Sequence, residues 1–391
     1  MTADPINPIP KVAPVREAPP AVTAMVQLIR ETWHEVEPYT PEISQFFYGM
    51  LFTLAPEARD FFPIHMEIQR GKLVRAIVNI LQSVDRPDDV APYLVQLGRD
   101  HRKFGVQSHH YEAIGTALLA AVKRQLRDAW TPRVERAWAE AFTIVARSMQ
   151  EAAEADEYPA SWLGTVAEHR RLSWDLALIR VEPEHHIPYR AGQYLSVEVP
   201  QRPRLWRYLS PANAPRPDGS LEFHVRAIEG GWVSRSIVSH TQPGDVWRFG
   251  APMGRLDVDR QSGRDVLMIA GGTGLAPLRA ILDHLGGWGH NPNVTLFYGG
   301  ATRDDLYDLE QLRALASTNP WLTVHPVVEH GEGLSGFEQG TLADAVTARG
   351  AWPGHDVLVS GSPAMIRATV SRMLVAGTSL DQIRYDPFAL D

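Results

Sequence analysis

From residue 21 to about residue 156, apolar side chains recur at intervals of three and four positions. Met25, Val26, Leu28, Ile29 and Trp33 form one series, Ile43, Phe46, Phe47, Met50 and Leu51 a second, and Leu73, Ile77, Ile80 and Leu81 a third. That spacing lines one face of an α-helix, and the stretches 93–104, 111–130 and 134–153 repeat it. Pro38, Pro41, Pro56, Pro63, Pro87, Pro92 and Pro132 mark the expected breaks between helices. No run of period two interrupts the pattern, so this part predicts an all-α domain of roughly six helices.

At Glu157-Tyr158-Pro159 the pattern changes. Stretches 174–179, 193–199 and 221–225 alternate or nearly alternate between apolar and polar residues, with turn formers between them, and predict an antiparallel β-barrel of short strands over 157–262. From Gly263 onward strand and helix alternate. Strands are expected at 265–270, 294–298, 322–328 and 357–360, and helices at 278–285, 309–316, 342–349 and 365–375. That order predicts a parallel sheet with helices on both faces over 263–391. Residues 1–20, rich in proline, predict a flexible lead without the basic-then-apolar layout of a signal peptide. A cytoplasmic protein with no integral membrane segment is therefore expected.

The total of 391 residues suits several domains rather than one core. A net charge of -8 gives no reason to expect nucleic acid as a partner. Cysteine is absent. Disulfides, thiolate metal sites, cysteine-ligated iron–sulfur clusters and cysteine nucleophiles are excluded together, so redox chemistry must come from a bound cofactor.

The richest motif lies where the strand at 265–270 runs into Gly271-Gly272-Thr273-Gly274 and then a helix with Pro277 in its first turn. Glycine permits the tight turn, and the helix N-terminus attracts a pyrophosphate. A structural turn would look the same in isolation, but the strand–helix alternation that follows favours a dinucleotide site. Two further stretches are suited to phosphate or flavin. Arg207-Tyr208-Leu209-Ser210 offers a cation and a hydroxyl, and Gly230-Gly231-Trp232-Val233-Ser234 stands before a helix.

Together with 297–303 and 359–365, this order of motifs resembles the ferredoxin–NADP reductase superfamily over residues 161–391. The resemblance implies FAD on the barrel and NADH or NADPH across the strand ends of the α/β domain. FAD would be held by Arg207, Tyr208, Leu209, Ser210, Gly231, Trp232, Val233 and Ser234. Gly271, Gly272 and Thr273 would accept the pyridine-nucleotide pyrophosphate, with Gly274 and Pro277 completing the loop. Gly361 and Met365 would line the nicotinamide side, and Phe388 would cover the flavin. Leu209 stands where the family usually has a flavin-stacking tyrosine, and Tyr208 should point to the opposite face of the strand. Ser360 stands where cysteine is common. Arg303 hints at a phosphate contact but suits either donor.

In the helical part, Phe47-Tyr48, Pro56-Glu57 with Phe61-Phe62, Gln69-Arg70 with Leu73, and Leu97-Gly98-Arg99-Asp100-His101 with Phe104 and then Tyr111 resemble the globin domain of flavohaemoglobins. The same family fuses this domain to a flavin reductase. The resemblance implies haem b with His101 as proximal iron ligand, Phe62 and Leu73 against the macrocycle, and Tyr48 and Gln69 as distal hydrogen-bond donors to dioxygen. Tyr111 would help orient His101. The glutamate that usually partners this tyrosine is replaced by Ala153 in an ungapped alignment, with Glu151 and Glu154 close by. The implied activity is oxidation of nitric oxide to nitrate by a monomer, with dioxygen and nitric oxide as small-molecule substrates. Two alternatives stay open. One is an oxidoreductase of the same architecture acting on an organic donor, a peroxide or a quinone; the other is a haem-based gas or redox sensor.

Overall fold

The computed structural model describes residues 19–62, 70–331 and 335–386. The chain divides into two compact units, residues 1–160 and 161–391.

The first unit is helical: α1 Pro20–Val36, α2 Thr40–Leu54, α3 Arg70–Leu81, α4 Pro87–His101, α5 Ser108–Leu126 and α6 Pro132–Glu154. Each helix buries the face that its periodicity marks; in α1 these residues are Met25, Val26, Ile29, Trp33 and Val36. Trp138 of α6 is fully buried against Trp33, and its indole N–H donates to the Thr32 hydroxyl at 3.1 Å, so the largest core side chain has its polar atom satisfied. Thr131 caps α6 by accepting from the Val134 N–H, and Pro132 occupies the first turn, where no N–H is needed.

Pro92 corrects one expectation. It lies inside α4 rather than at a break. The helix begins at Pro87 and continues through Pro92, giving up the one bond that an N–H there would make to the Asp88 carbonyl.

The second unit begins with an antiparallel barrel: β1 Trp162–Arg171, β2 Leu176–Pro183, β3 Leu195–Glu198, β4 Arg207–Leu209, β5 Leu221–Arg226, α7 Trp232–His240 and β6 Val246–Phe249. The strand order is β4-β3-β6-β1-β2-β5, and a bridge between Pro211 and Phe223 brings the two edges nearly to closure. Trp174 and Asp175, expected in a strand, form the β1–β2 turn instead, with Trp174 exposed. Val233, Ile237 and Val238 of α7 join Phe223, Trp247 and Phe249 in the barrel core.

The α/β part comprises β7 Asp265–Gly271, α8 Leu275–Gly286, β8 Val294–Gly300, α9 Leu309–Thr318, β9 Leu322–Val328, β10 Glu338–Gln339, α10 Leu342–Thr347, β11 His355–Ser360, α11 Pro363–Val375 and β12 Ile383–Arg384. The six strands pair in parallel, in the order β10-β9-β8-β7-β11-β12. Helices α8 and α9 cover one face, and α10 and α11 the other. The chain builds outward from β7 to β8, β9 and β10, then returns to the other side of β7 with β11. The strand ends of β7 and β11 therefore flank a topological switch point, where open α/β sheets form a ligand crevice. Among the described residues no helix is long and apolar enough to cross a membrane.

Close approach of α4 to α6 depends on Gly98. A Cβ there would lie 2.3 Å from the Met149 carbonyl oxygen and 2.8 Å from the Met149 Cα, both backbone atoms that cannot turn aside. Gly98→Ala is expected to destabilise the helical unit by about 1–3 kcal/mol, read by thermal or denaturant unfolding.

Candidate functional site

In the helical unit the candidate residues lie on four helices, α2 to α5. His101 ends α4, and its Nδ1 lies 2.8 Å from the Leu97 carbonyl oxygen one turn earlier. A carbonyl only accepts, so Nδ1 carries the proton and Nε2 keeps its lone pair. Burial lowers the imidazole pKa, against the pull of neighbouring Asp100, and so favours the neutral form that ligates metals. Part of the ring edge nevertheless remains accessible. These features fit an axial ligand to haem iron.

Tyr48, on α2, is buried, and its hydroxyl has no hydrogen-bond partner among the described residues. Burial pushes its pKa up to about 12, so it remains a donor. Its ring meets Phe47, Phe52 and Phe62 at centroid separations of 5.2, 5.8 and 5.4 Å. An orphaned donor in an apolar wall is costly unless something accepts from it. Leu73 is half-buried against the same core, and Tyr111 of α5 is buried, with its pKa also pushed to about 12 by desolvation. Gln69 lies outside the described residues. Glu151 and Glu154 are exposed, and neither carboxylate makes a hydrogen bond or ion pair among the described residues.

In the second unit a cleft of about 1070 Å³ opens at the switch point. It gathers Tyr208, Leu209 and Ser210 from the barrel edge, the loop Gly271 to Gly274 with Pro277, and Gly361 with Met365. Two glycines make this convergence possible. A Cβ on Gly274 would sit 2.5 Å from the Gly361 Cα and from the Ser360 carbonyl oxygen, and one on Gly361 would sit 2.2 Å from Met365 Cε. The ends of β7 and β11 touch backbone to backbone. Ser360 also borders the cleft.

The register of β3 and β4 pairs Leu209 with Leu195 and Tyr208 with Ser196. Leu209 accordingly packs against the barrel core, while the Tyr208 ring lies on the other face, 5.0 Å from Tyr194. Both reach the cleft because β4 is an edge strand. Arg207 is outside the cleft lining. Its guanidinium donates to the Trp206 carbonyl and has no carboxylate partner among the described residues. Desolvation lowers its pKa although much of the side chain remains exposed. A cation left without a counter-ion fits a phosphate.

Gly231, Trp232, Val233 and Ser234 also lie outside that cleft, at the start of α7. The Val233 side chain belongs to the barrel core, Trp232 is half exposed, and the Ser234 hydroxyl lies 3.3 Å from the Gly231 carbonyl. Val233 could therefore meet a ligand only through its backbone. Phe388 lies outside the described residues.

The sequence pattern did not single out three further cleft residues. His224 of β5 is held by Glu222, which accepts from Nε2 at 3.0 Å, and by the Tyr307 hydroxyl at 2.9 Å from Nδ1. Arg226 forms ion pairs with Asp175 and Asp305. Asp386 accepts from the Arg255 backbone N–H through Oδ1, and its Oδ2 is buried without a partner among the described residues.

Three family profiles match in order: Globin over residues 45–149, Oxidoreductase FAD-binding domain over 164–258 and Oxidoreductase NAD-binding domain over 268–371. The chain is similar to the flavohemoprotein of Bacillus subtilis (strain 168), 24% identical over 387 residues, covering 93% of this chain and 96% of that one. It is also similar to the ferredoxin–NAD(P)(+) reductase component of the naphthalene 1,2-dioxygenase system of Pseudomonas putida. That likeness is 30% identity over 246 residues, covering 61% of this chain and 73% of the relative. The flavohemoglobin of Malassezia yamatoensis, solved with bound FAD and heme, shares the fold with a TM-score of 0.76 at 17% identity, covering 93% of this chain and 98% of that one.

Burial pushes the Asp386 pKa to about 7, against the stabilising N–H and charge of Arg255. An unfolded aspartate titrates near 3.9, so the folded state gains from a protonated carboxyl. That gain is complete below about pH 4 and disappears as pH rises through about 7. Asp386→Asn should therefore raise the melting temperature over wild type by an amount that grows from about pH 5 to about pH 8. A gain independent of pH would contradict this account.

Proposed function

This chain belongs to the flavohaemoglobin family, an oxidoreductase with haem, FAD and NADH or NADPH as cofactors, and from that premise we propose that it oxidises nitric oxide to nitrate with dioxygen. The observation that supports this most is the buried, unpartnered Tyr48 hydroxyl in the same unit as a His101 whose Nε2 is free to ligate. When bound, haem supplies redox-active iron with an open position, and FAD accepts a hydride from the pyridine nucleotide and releases electrons singly.

The chain's own residues do the positioning. His101 would hold the haem iron through Nε2, its tautomer fixed by the Leu97 carbonyl. Tyr48 donates a hydrogen bond from a wall of Phe47, Phe52 and Phe62, where low polarity strengthens it, and Gln69 is assigned the second distal donor. Phe62 and Leu73 limit the room beside the macrocycle. Arg207 and the amides opening α7 would hold the FAD phosphates, and Ser210 and Tyr208 would hold the flavin at the barrel edge. The loop Gly271 to Gly274 would receive the nucleotide pyrophosphate, and Met365 would line the nicotinamide side.

NADH is the donor this reading favours. Glu329, an exposed carboxylate, borders the end of the cleft formed by β8 and β9. Arg303 is not among the cleft-lining side chains and lies over the Phe337 ring, 6.0 Å from its centroid. A second ribose phosphate would meet negative charge there. Glu329→Gln is expected to lower KM for NADPH more than KM for NADH in steady-state kinetics.

A second reading, reduction of an organic acceptor, peroxide or quinone, draws on Leu209 at the usual stacking position and on the exposed Glu151 and Glu154. One experiment separates the two. Holoprotein reduced anaerobically with NADH and then given dioxygen and nitric oxide should consume both gases and form nitrate in matching amounts. Absence of nitrate with haem and FAD loaded would favour the second reading. His101→Ala should lose the haem Soret band while keeping flavin absorption. Tyr48→Phe should speed dioxygen release by about 10- to 100-fold, from loss of a hydrogen bond worth roughly 1.5–3 kcal/mol, measured by flash photolysis or stopped flow.

A further inference from the structure

A cluster in the helical unit plays no part in the activity proposed above. Glu57 lies in the short 3-10 segment Pro56–Phe61, and His109 and His110 stand in the first turn of α5. Glu57 Oε1 is 2.9 Å from His109 Nε2 and 3.3 Å from His110 Nε2, and the three ligand atoms all fall within 4.8 Å of one another. A tetrahedral ion with bonds of about 2.0–2.1 Å would place its ligand atoms roughly 3.3 Å apart, so these side chains need only small shifts.

A second observation points the same way. The His110 side chain is only 4% exposed, against the Phe61 ring at 4.9 Å, yet its Nε2, 3.3 Å from Glu57 Oε1, makes no well-formed hydrogen bond among the described residues. Glu57 and His109 are about half exposed and leave a solvent side open for water as a fourth ligand. We propose that Glu57, His109 and His110 form a two-histidine, one-carboxylate site for a borderline first-row divalent cation, with Zn²⁺ as the ion it suits best.

The proton inventory supports the chemistry and identifies its cost. Burial lowers the His110 pKa, and hydrogen bonding and nearby imidazoles lower that of Glu57, so both are in the forms a metal needs near neutral pH. The Gln107 backbone N–H donates to His110 Nδ1 at 2.9 Å, which places the proton of neutral His110 on Nε2 in the metal-free protein. Ligation moves that proton to Nδ1 and releases the Gln107 N–H from its cap. The loss is that of one helix-cap bond, far smaller than the affinity of a three-ligand zinc site. No proton need leave His110.

Zinc titration of the untagged holoprotein by calorimetry tests the site. One saturable event per chain is expected, with affinity reduced tenfold or more by Glu57→Gln and by His109→Ala. A variant with His185→Ala and His186→Ala, two exposed loop histidines elsewhere, should bind as wild type does. Melting curves without metal show whether each variant remains folded, and anomalous diffraction at the zinc edge should place the ion among the three side chains. Absence of a saturable event, undiminished affinity in both site variants, or loss of binding in the His185/His186 variant would each overturn the proposal.

Discussion

The Leu97 carbonyl, one helical turn before His101, accepts the Nδ1 proton at 2.8 Å and thereby fixes which imidazole nitrogen keeps a lone pair. That bond works only if the end of α4 is held in place. Gly98 brings α4 against the Met149 backbone of α6. Arg99 and Arg102 both reach Asp156, just beyond the end of α6, at 2.9 and 3.1 Å. Burial would raise the Asp156 pKa, but the two arginines and the Tyr158 N–H outweigh it and leave the carboxylate more acidic than usual. Lys103 and Asp100, both buried, pair with each other on either side of His101 in sequence. A pair of this kind offers geometry more than net stability, since desolvation offsets much of its attraction.

The reductase unit depends on a comparable constraint, written in backbone rather than charge. Parallel strands diverge at a switch point, and the crevice there stays open only if the two flanking loops approach without side chains between them. Gly274 and Gly361 satisfy that condition. Polar ties then join the barrel strand β5 to the segment after β8: His224 with Tyr307, and Arg226 with Asp305. Tyr307 is so deeply buried that its hydroxyl stays protonated well above the ordinary range, which keeps it available to the imidazole.

Legibility in the sequence followed the range of the interactions concerned. Helices were readable because burial of one face imprints a period on neighbouring residues, as in α1. Pro92 misled because a helix can run through a proline at the cost of one backbone bond, here to the Asp88 carbonyl in the second turn of α4. Strands β4 and β6, of three and four residues, are too short to show a period. The glycine loop stood out because strand, turn and helix are contiguous. His224, Arg226 and Asp386 did not, because what brings each to the cleft lies far away in the chain; His224 and Tyr307 are 83 residues apart. Glu57 with His109 and His110 was hidden for the same reason, at a separation of 52 residues from His109.

The proximal side shows how one substituted position changes the demands on another. A carbonyl oxygen is a weaker acceptor than a carboxylate, so an imidazole bonded to Leu97 is less anionic than one bonded to a charged partner. Among the described residues no carboxylate takes that role: Glu151 and Glu154 face outward, and the negative charge of Asp100 is directed to Lys103. If His101 ligates haem as proposed, it would lend the iron less electron density, and polarisation of a bound gas would depend more on hydrogen-bond donors such as Tyr48. Tyr48 is suited to that demand, because a buried hydroxyl with no other acceptor has nothing to break before it donates. Under the proposed haem site, the weak acceptor behind His101 and the uncommitted donor at Tyr48 would complement each other.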